Sequence, residues 1–156
     1  MIKLVRAYII PAALSLLPAR MDSPAARAML VAIGLQESRF EHRRQVGGPA
    51  RGYWQFELGG GVAGVLRHDA SRPHLLPALD ALRYPPAPDV LYNAIADNDV
   101  LACVLARLLL FTLPYGLPGV GEPEEGWKQY MEAWRAGRPH RATWDAFYAQ
   151  AWGVSP

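Results

Sequence analysis

The chain has 156 residues, 51% hydrophobic and 19% charged, with a formal net charge of +2. This describes one globular domain over residues 1–156, long enough to bury a sizeable core, and excludes a disordered or repetitive chain. The charge is too small to argue for a nucleic-acid partner, and a single cysteine, Cys103, excludes an intramolecular disulfide, so packing alone must hold the fold.

Lys3 and Arg6 precede an apolar run over residues 7–17, in the order of the first two regions of an export signal. Pro11 and Pro18 interrupt the run and Leu17-Pro18-Ala19 is a poor cleavage site, so the expectation is a short helix over 9–17 and no export signal. Asp22 or Ser23 offers an N-cap, with Pro24 at the first helical position, for a helix reaching about Arg39. Alternating aromatic and polar residues at 52–56, beside glycines, predict a short strand or hairpin. Gly59-Gly60-Gly61 then breaks the chain before a helix over 62–68. Pro73 opens another, with Leu75, Leu76, Leu79 and Leu82 at helical spacing, and Pro85-Pro86-Ala87-Pro88 forces a connection.

Asp89 is the expected cap of a helix carrying Leu91 and Ile95, and Asp97 to Asp99 are the expected polar start of the next, with Asp97 and Asp99 read as caps. Residues 100–113 are apolar apart from Arg107 and Thr112, and shorter than the roughly 20 residues that span a bilayer. They predict a buried central helix and no stable membrane insertion. After a proline- and glycine-rich loop, Pro123 begins a helix through Trp127, Tyr130, Met131 and Trp134, and Thr143 is expected to cap a last one through Phe147 and Ala151.

Within the second of these helices, Leu30, Ile33, Glu37 and Phe40 fall at spacings of three, four and three, so one carboxyl group lies on an otherwise apolar face. Ionising a buried, unpaired carboxyl is costly, so the pKa of Glu37 should rise toward neutrality, as suits a proton donor near pH 7. The bland alternative is a structural acid satisfied by Arg39 or a backbone amide.

Glu37-Ser38-Arg39-Phe40 followed by Gly52-Tyr53-Trp54-Gln55 resembles the goose-type lysozyme and soluble lytic transglycosylase superfamily, whose pattern is a Glu-Ser-x-Phe helix end and a Gly-Leu-Met-Gln turn. Trp134-Arg135-Ala136-Gly137 is similar to its Tyr-Asn-Ala-Gly motif, with Trp134 in the tyrosine's place and no asparagine. From about Leu17 onward the chain looks like small peptidoglycan-degrading proteins of tailed bacteriophages. The resemblance implies a mainly α, lysozyme-like domain: a helical bundle around a central apolar helix, with one small β element beside the catalytic glutamate. Glu37 would be the acid, and Ser38, Gly52, Tyr53, Trp54, Gln55 and Trp134 would bind the substrate, with Tyr53 and Trp54 standing where the family has Leu-Met.

The implied partner is a peptidoglycan glycan strand, cut at the β-1,4 bond between N-acetylmuramic acid and N-acetylglucosamine. It is cut by a monomer that acts on periplasmic peptidoglycan from the host cytoplasm, with a holin, or from the phage particle. Glu57 is a candidate second carboxylate or, in the bland reading, a helix-terminal charge. Without an obvious second acid the expectation is a lytic transglycosylase. A hydrolytic muramidase, a glycan-binding virion component and an unrelated helical interaction protein are the alternatives. Tyr53, Trp54, Tyr92, Trp127, Tyr130 and Trp134 could offer flat rings to sugars or pack in the core. Arg39, Arg43, Arg44 and Arg51 could meet stem-peptide carboxylates or form a solvated basic face. His42, His68, His74 and His140 lie at unrelated spacings, so no metal or cofactor is expected.

Overall fold

Ser23 has extended backbone and its hydroxyl accepts the Ala26 N–H at 3.1 Å, with Pro24 in the first turn, so helix α3 (Pro24–Ser38) starts where predicted. The computed structural model describes residues 1–155, which are mainly helical. At its other end α3 stops on two successive left-handed residues, Arg39 (φ 52°) and Phe40 (φ 56°). Such residues cost about 1–3 kcal/mol each. They are held by the Arg39 N–H on the Leu35 carbonyl and the Phe40 N–H on Ser38 Oγ, both at 3.1 Å, and by burial of the Phe40 ring. Gly34 makes room for that ring: a Cβ there would stand 2.2 Å from Phe40 Cζ.

The chain is helical well before residue 9, contrary to the sequence expectation. α1 (Ile2–Leu4), a wide π-type turn (Val5–Ile9) and α2 (Ile10–Leu14) follow one another without interruption. The wide turn lies just before Pro11, whose ring would otherwise collide with the carbonyl four residues back. Val5, Ile10, Ala13 and Leu14 are buried, which draws the segment onto the core.

The element expected at 52–56 is a tight hairpin turn without a named strand. Arg51 and Phe56 exchange both backbone hydrogen bonds, at 2.9 and 2.8 Å, and Arg51 also bridges Arg44. Gly52 (φ 72°) and Gln55 (φ 52°) reverse the chain within four residues, leaving no length for a ladder. A second π-type turn (Leu58–Val62) leads into α4 (Ala63–Arg67), followed by α5 (Arg72–Leu82) and α6 (Pro88–Ala94). Asp89 lies in the first turn of α6 and is not its cap, because Pro88 takes the first position and Ala87 the N-cap.

α7 (Asp99–Phe111) is capped by Asn98, whose side chain accepts the Leu101 N–H at 3.0 Å. The polar start expected at 97–99 holds: Asn98 is the cap and Asp99 the first residue of α7, while Asp97 stands just before the cap, and both aspartates also pair with arginines. Residues 101–110 are buried without a gap, including Arg107, whose Nε donates to the Met21 carbonyl at 2.9 Å. Burial pushes that guanidinium down to about 10. α8 (Pro123–Trp134) and α9 (Arg141–Trp152) complete the chain. α9 begins two residues before Thr143, so Thr143 does not cap it; its hydroxyl bonds the His140 carbonyl and Gln36 Oε1. α9 packs along α3. Among the described residues no helix is long and apolar enough to cross a membrane.

Gly34→Ala must displace the Phe40 ring and should destabilise by about 1–3 kcal/mol, as overpacked cores do. Gly64→Ala, where a Cβ meets nothing within 4 Å, should be neutral or stabilising by up to about 1 kcal/mol. Urea unfolding of the two variants checks the contrast.

Candidate active site

Glu37 occupies the last turn of α3, half-buried. Its Oε1 accepts the hydroxyl of Tyr130 on α8 at 2.5 Å. Desolvation raises its pKa from 4.5 to about 7, against the opposing pull of the Tyr130 hydrogen bond. The negative end of the α3 dipole works in the same direction as burial. Burial, the Glu37 charge and the same hydrogen bond push the Tyr130 hydroxyl up, so it stays a donor. Near neutrality Glu37 therefore exchanges a proton readily, and the phenol is its fixed partner.

Ser38, the next residue, is buried and ties the helix end to the hairpin. Its hydroxyl donates to the Tyr53 carbonyl at 2.7 Å. Trp54 is fully buried and its Nε1 donates to the Leu30 carbonyl at 2.9 Å, so the turn is bound to α3 at two levels. Glu37 and the turn at 52–55 are thus neighbours. The rings of Tyr53 and Trp54, expected to face the substrate, are instead core: both meet the Phe40 ring edge-on, with centroids at 5.4 and 5.8 Å. Gly52 is buried too, and a Cβ there would lie 3.0 Å from the Ile95 carbonyl. Ser38, Gly52, Tyr53 and Trp54 therefore build the wall from behind. Gln55 is its outward member, with its side-chain amide donating to the Gly52 carbonyl at 2.8 Å.

The residue of α8 that bonds Glu37 is Tyr130, one turn before Trp134. Trp134 Nε1 donates to the Trp54 carbonyl at 2.8 Å, and its ring lies 6.2 Å from that of Tyr130 and 5.8 Å from that of Phe56. Of the other aromatics, Trp127 packs on Tyr130 and Trp144, and the Tyr92 hydroxyl donates to the Pro49 carbonyl.

A cleft of about 640 Å³ opens beside this cluster. Gln55 and Trp134 line its near end, and Glu57, Arg67, Glu132 and Arg135 supply its charges. Glu37 itself is not in the lining; Tyr130 and Trp134 join it to the cleft. Glu57 is exposed on the wall. Sequence reasoning missed Arg67, Glu132 and Arg135, which no motif marks, and took Tyr130 only as a ring, although its spacing of four from Trp134 puts both on one face of α8.

Of the four arginines near the acid, three are occupied within the protein, and Arg39 is exposed with no carboxylate partner among the described residues. Arg43 makes a two-point ion pair with Asp99, both contacts at 2.8 Å, and stacks over the Tyr53 ring at 4.4 Å. Arg44 pairs with Asp97 at 2.9 Å, and Arg51 donates to the Gly48 and Ala50 carbonyls. No group of three or more histidine, cysteine, aspartate or glutamate side chains is gathered among the described residues. No protein-family model, curated protein or solved structure matches the chain.

Because the folded pKa of Glu37 lies above its unfolded value, the folded state binds the extra proton. The stability this confers is complete below about pH 4.5 and is lost as pH rises through about 7. Glu37→Gln, which cannot ionise, should therefore be more stable than the native protein by an amount that grows from pH 5 to 8, to about 3 kcal/mol at most. Denaturant unfolding at a series of pH values reads the difference.

Proposed function

We propose that this chain is a lysozyme-like glycosidase of peptidoglycan, a helical bundle around α7, that cleaves the N-acetylmuramic acid-β-1,4-N-acetylglucosamine bond. One observation carries the reading: the half-buried carboxyl group of Glu37, near neutral in pKa and bonded to the Tyr130 phenol, is joined through the Tyr130 and Trp134 rings to an open cleft that Trp134 lines. It agrees with the sequence resemblance, which puts the family's acid at the same residue and the cleft turn at 52–55. The tie between Ser38 and the Tyr53 carbonyl counts against an accidental match, in which the two motif halves would lie apart.

In the mechanism, protonated Glu37 gives its proton to the glycosidic oxygen as an oxocarbenium-like centre develops on the muramic sugar. The resulting carboxylate then serves as base. Deprotonating the muramic 6-hydroxyl, which closes on C1, gives a 1,6-anhydro end and defines a lytic transglycosylase; activating water gives a reducing end and defines a muramidase. Tyr130 holds the carboxyl in place and stabilises its ionised form, so the same group can work in both steps. The transglycosylase is favoured because, among the described residues, no second carboxylate bonds to the Glu37–Tyr130 pair. The hydrolytic alternative rests on Glu57, exposed on the cleft wall where it could orient water.

Glu37→Gln should reduce clearing of purified peptidoglycan by at least about 100-fold, the usual scale of a lost general acid, while the helical circular-dichroism signal is kept. Tyr130→Phe removes the interaction that lowers the Glu37 pKa, so the alkaline limb of its pH profile should move upward from about 7. A Gln variant that clears wall normally would remove Glu37 from the mechanism. An unmoved limb would remove Tyr130.

A further inference from the structure

Outside the Glu37 cluster, the least explained feature of the cleft is a pair of arginines. Arg67 ends α4 and Arg135 follows α8, its backbone in the left-handed region (φ 51°) with its N–H on the Met131 carbonyl. Both side chains are exposed and line the cleft. Neither has a carboxylate partner among the described residues, although Arg27, Arg43, Arg44 and Arg141 all do. Arg43 and Arg44, close to the acid in sequence, are thus neutralised within the protein, whereas Arg67 and Arg135 stand on the cleft without a carboxylate partner, as Arg39 does outside it.

We propose that Arg67 and Arg135 receive the carboxylates of the stem peptide carried by the muramic acid residue, making this chain selective for peptide-bearing glycan. The proposal rests on the glycosidase reading for the identity of the sugar. Arginine suits the role because its planar fork pairs a carboxylate with two hydrogen bonds while staying charged at every working pH. Two acids share the same walls: Glu57, and Glu132, which accepts the Tyr115 hydroxyl at 3.2 Å. Such a balanced cleft repels an all-anionic polymer along part of its length. It accepts a ligand that alternates carboxylates with an ammonium group, as a stem peptide containing a diamino acid does. Muramic acid carries that peptide on its lactyl group, so a muramic sugar reacting at Glu37 brings the peptide to the cleft edge.

The test compares two soluble probes by titration: the N-acetylglucosaminyl-N-acetylmuramic disaccharide carrying a tetrapeptide, and the same disaccharide without it. The native protein should bind the peptide-bearing probe about tenfold more tightly, the low end for charge-assisted hydrogen bonds in a wet cleft. The advantage should shrink with added salt. Replacing both side chains, Arg67→Gln with Arg135→Gln, should erase it, whereas Arg44→Gln, which breaks only the pair with Asp97, should leave it intact. Equal affinity of the native protein for both probes, or a double variant that keeps the preference, overturns the proposal. Binding is read without cleavage, so a protein that prefers the peptide-bearing probe yet clears no wall would sink the glycosidase reading and leave this one standing.

Discussion

A carboxyl group removed from water and given one phenol for company is the constraint on which the site depends. Left in solvent, Glu37 would be an ordinary carboxylate at pH 7 and a poor proton donor. Burial alone would keep it neutral and make it a poor base. The Tyr130 hydroxyl holds the balance, because it lowers the cost of the ionised form while the surrounding atoms raise it. The bond crosses from α3 to α8 and joins residues 93 apart in sequence, so the tuning is a product of the whole fold.

What fixes α3 therefore fixes the chemistry. Ser38 and Trp54 fasten the hairpin to the helix end, Phe40 plugs the angle between them, and Gly34 supplies the space for its ring. Gln36 reaches the His140 carbonyl and Thr143, tying the opposite flank of the same helical turn to the start of α9. Glu37 thus lies between two anchored neighbours and has little freedom of its own. The strain of two left-handed residues after the helix is accepted in the same place, where anchoring is densest.

Much of this was legible in the residues. Ser23 and Pro24 announced the start of α3, the three-four-three spacing put Glu37 on the inner face, and the apolar residues around it called for a raised pKa. What the pattern did not contain was direction. Alternation at 52–56 signals that one side is covered, but a turn that reverses in four residues inverts which side, and so Tyr53 and Trp54 went inward while Gln55 stayed at the cleft. Asp97 and Asp99 look like caps by position, yet Asn98 has the extended backbone a cap needs, freeing its neighbours to hold Arg43 and Arg44. Tyr130 was visible as a core ring; its hydroxyl met Glu37 only once α8 had packed. Long-range pairings of this kind depend on where helices cross, which local periodicity does not record.

The claim at the centre is that Glu37 delivers a proton to a glycosidic bond and takes one back. Mass spectrometry of purified peptidoglycan digested by the native protein tests it most directly, since a 1,6-anhydro end and a reducing end differ by one water. Fragments ending in anhydromuramic acid, absent from a Glu37→Gln digest, are the result this account predicts. An undigested wall, or fragments cut only within the peptides, would contradict it.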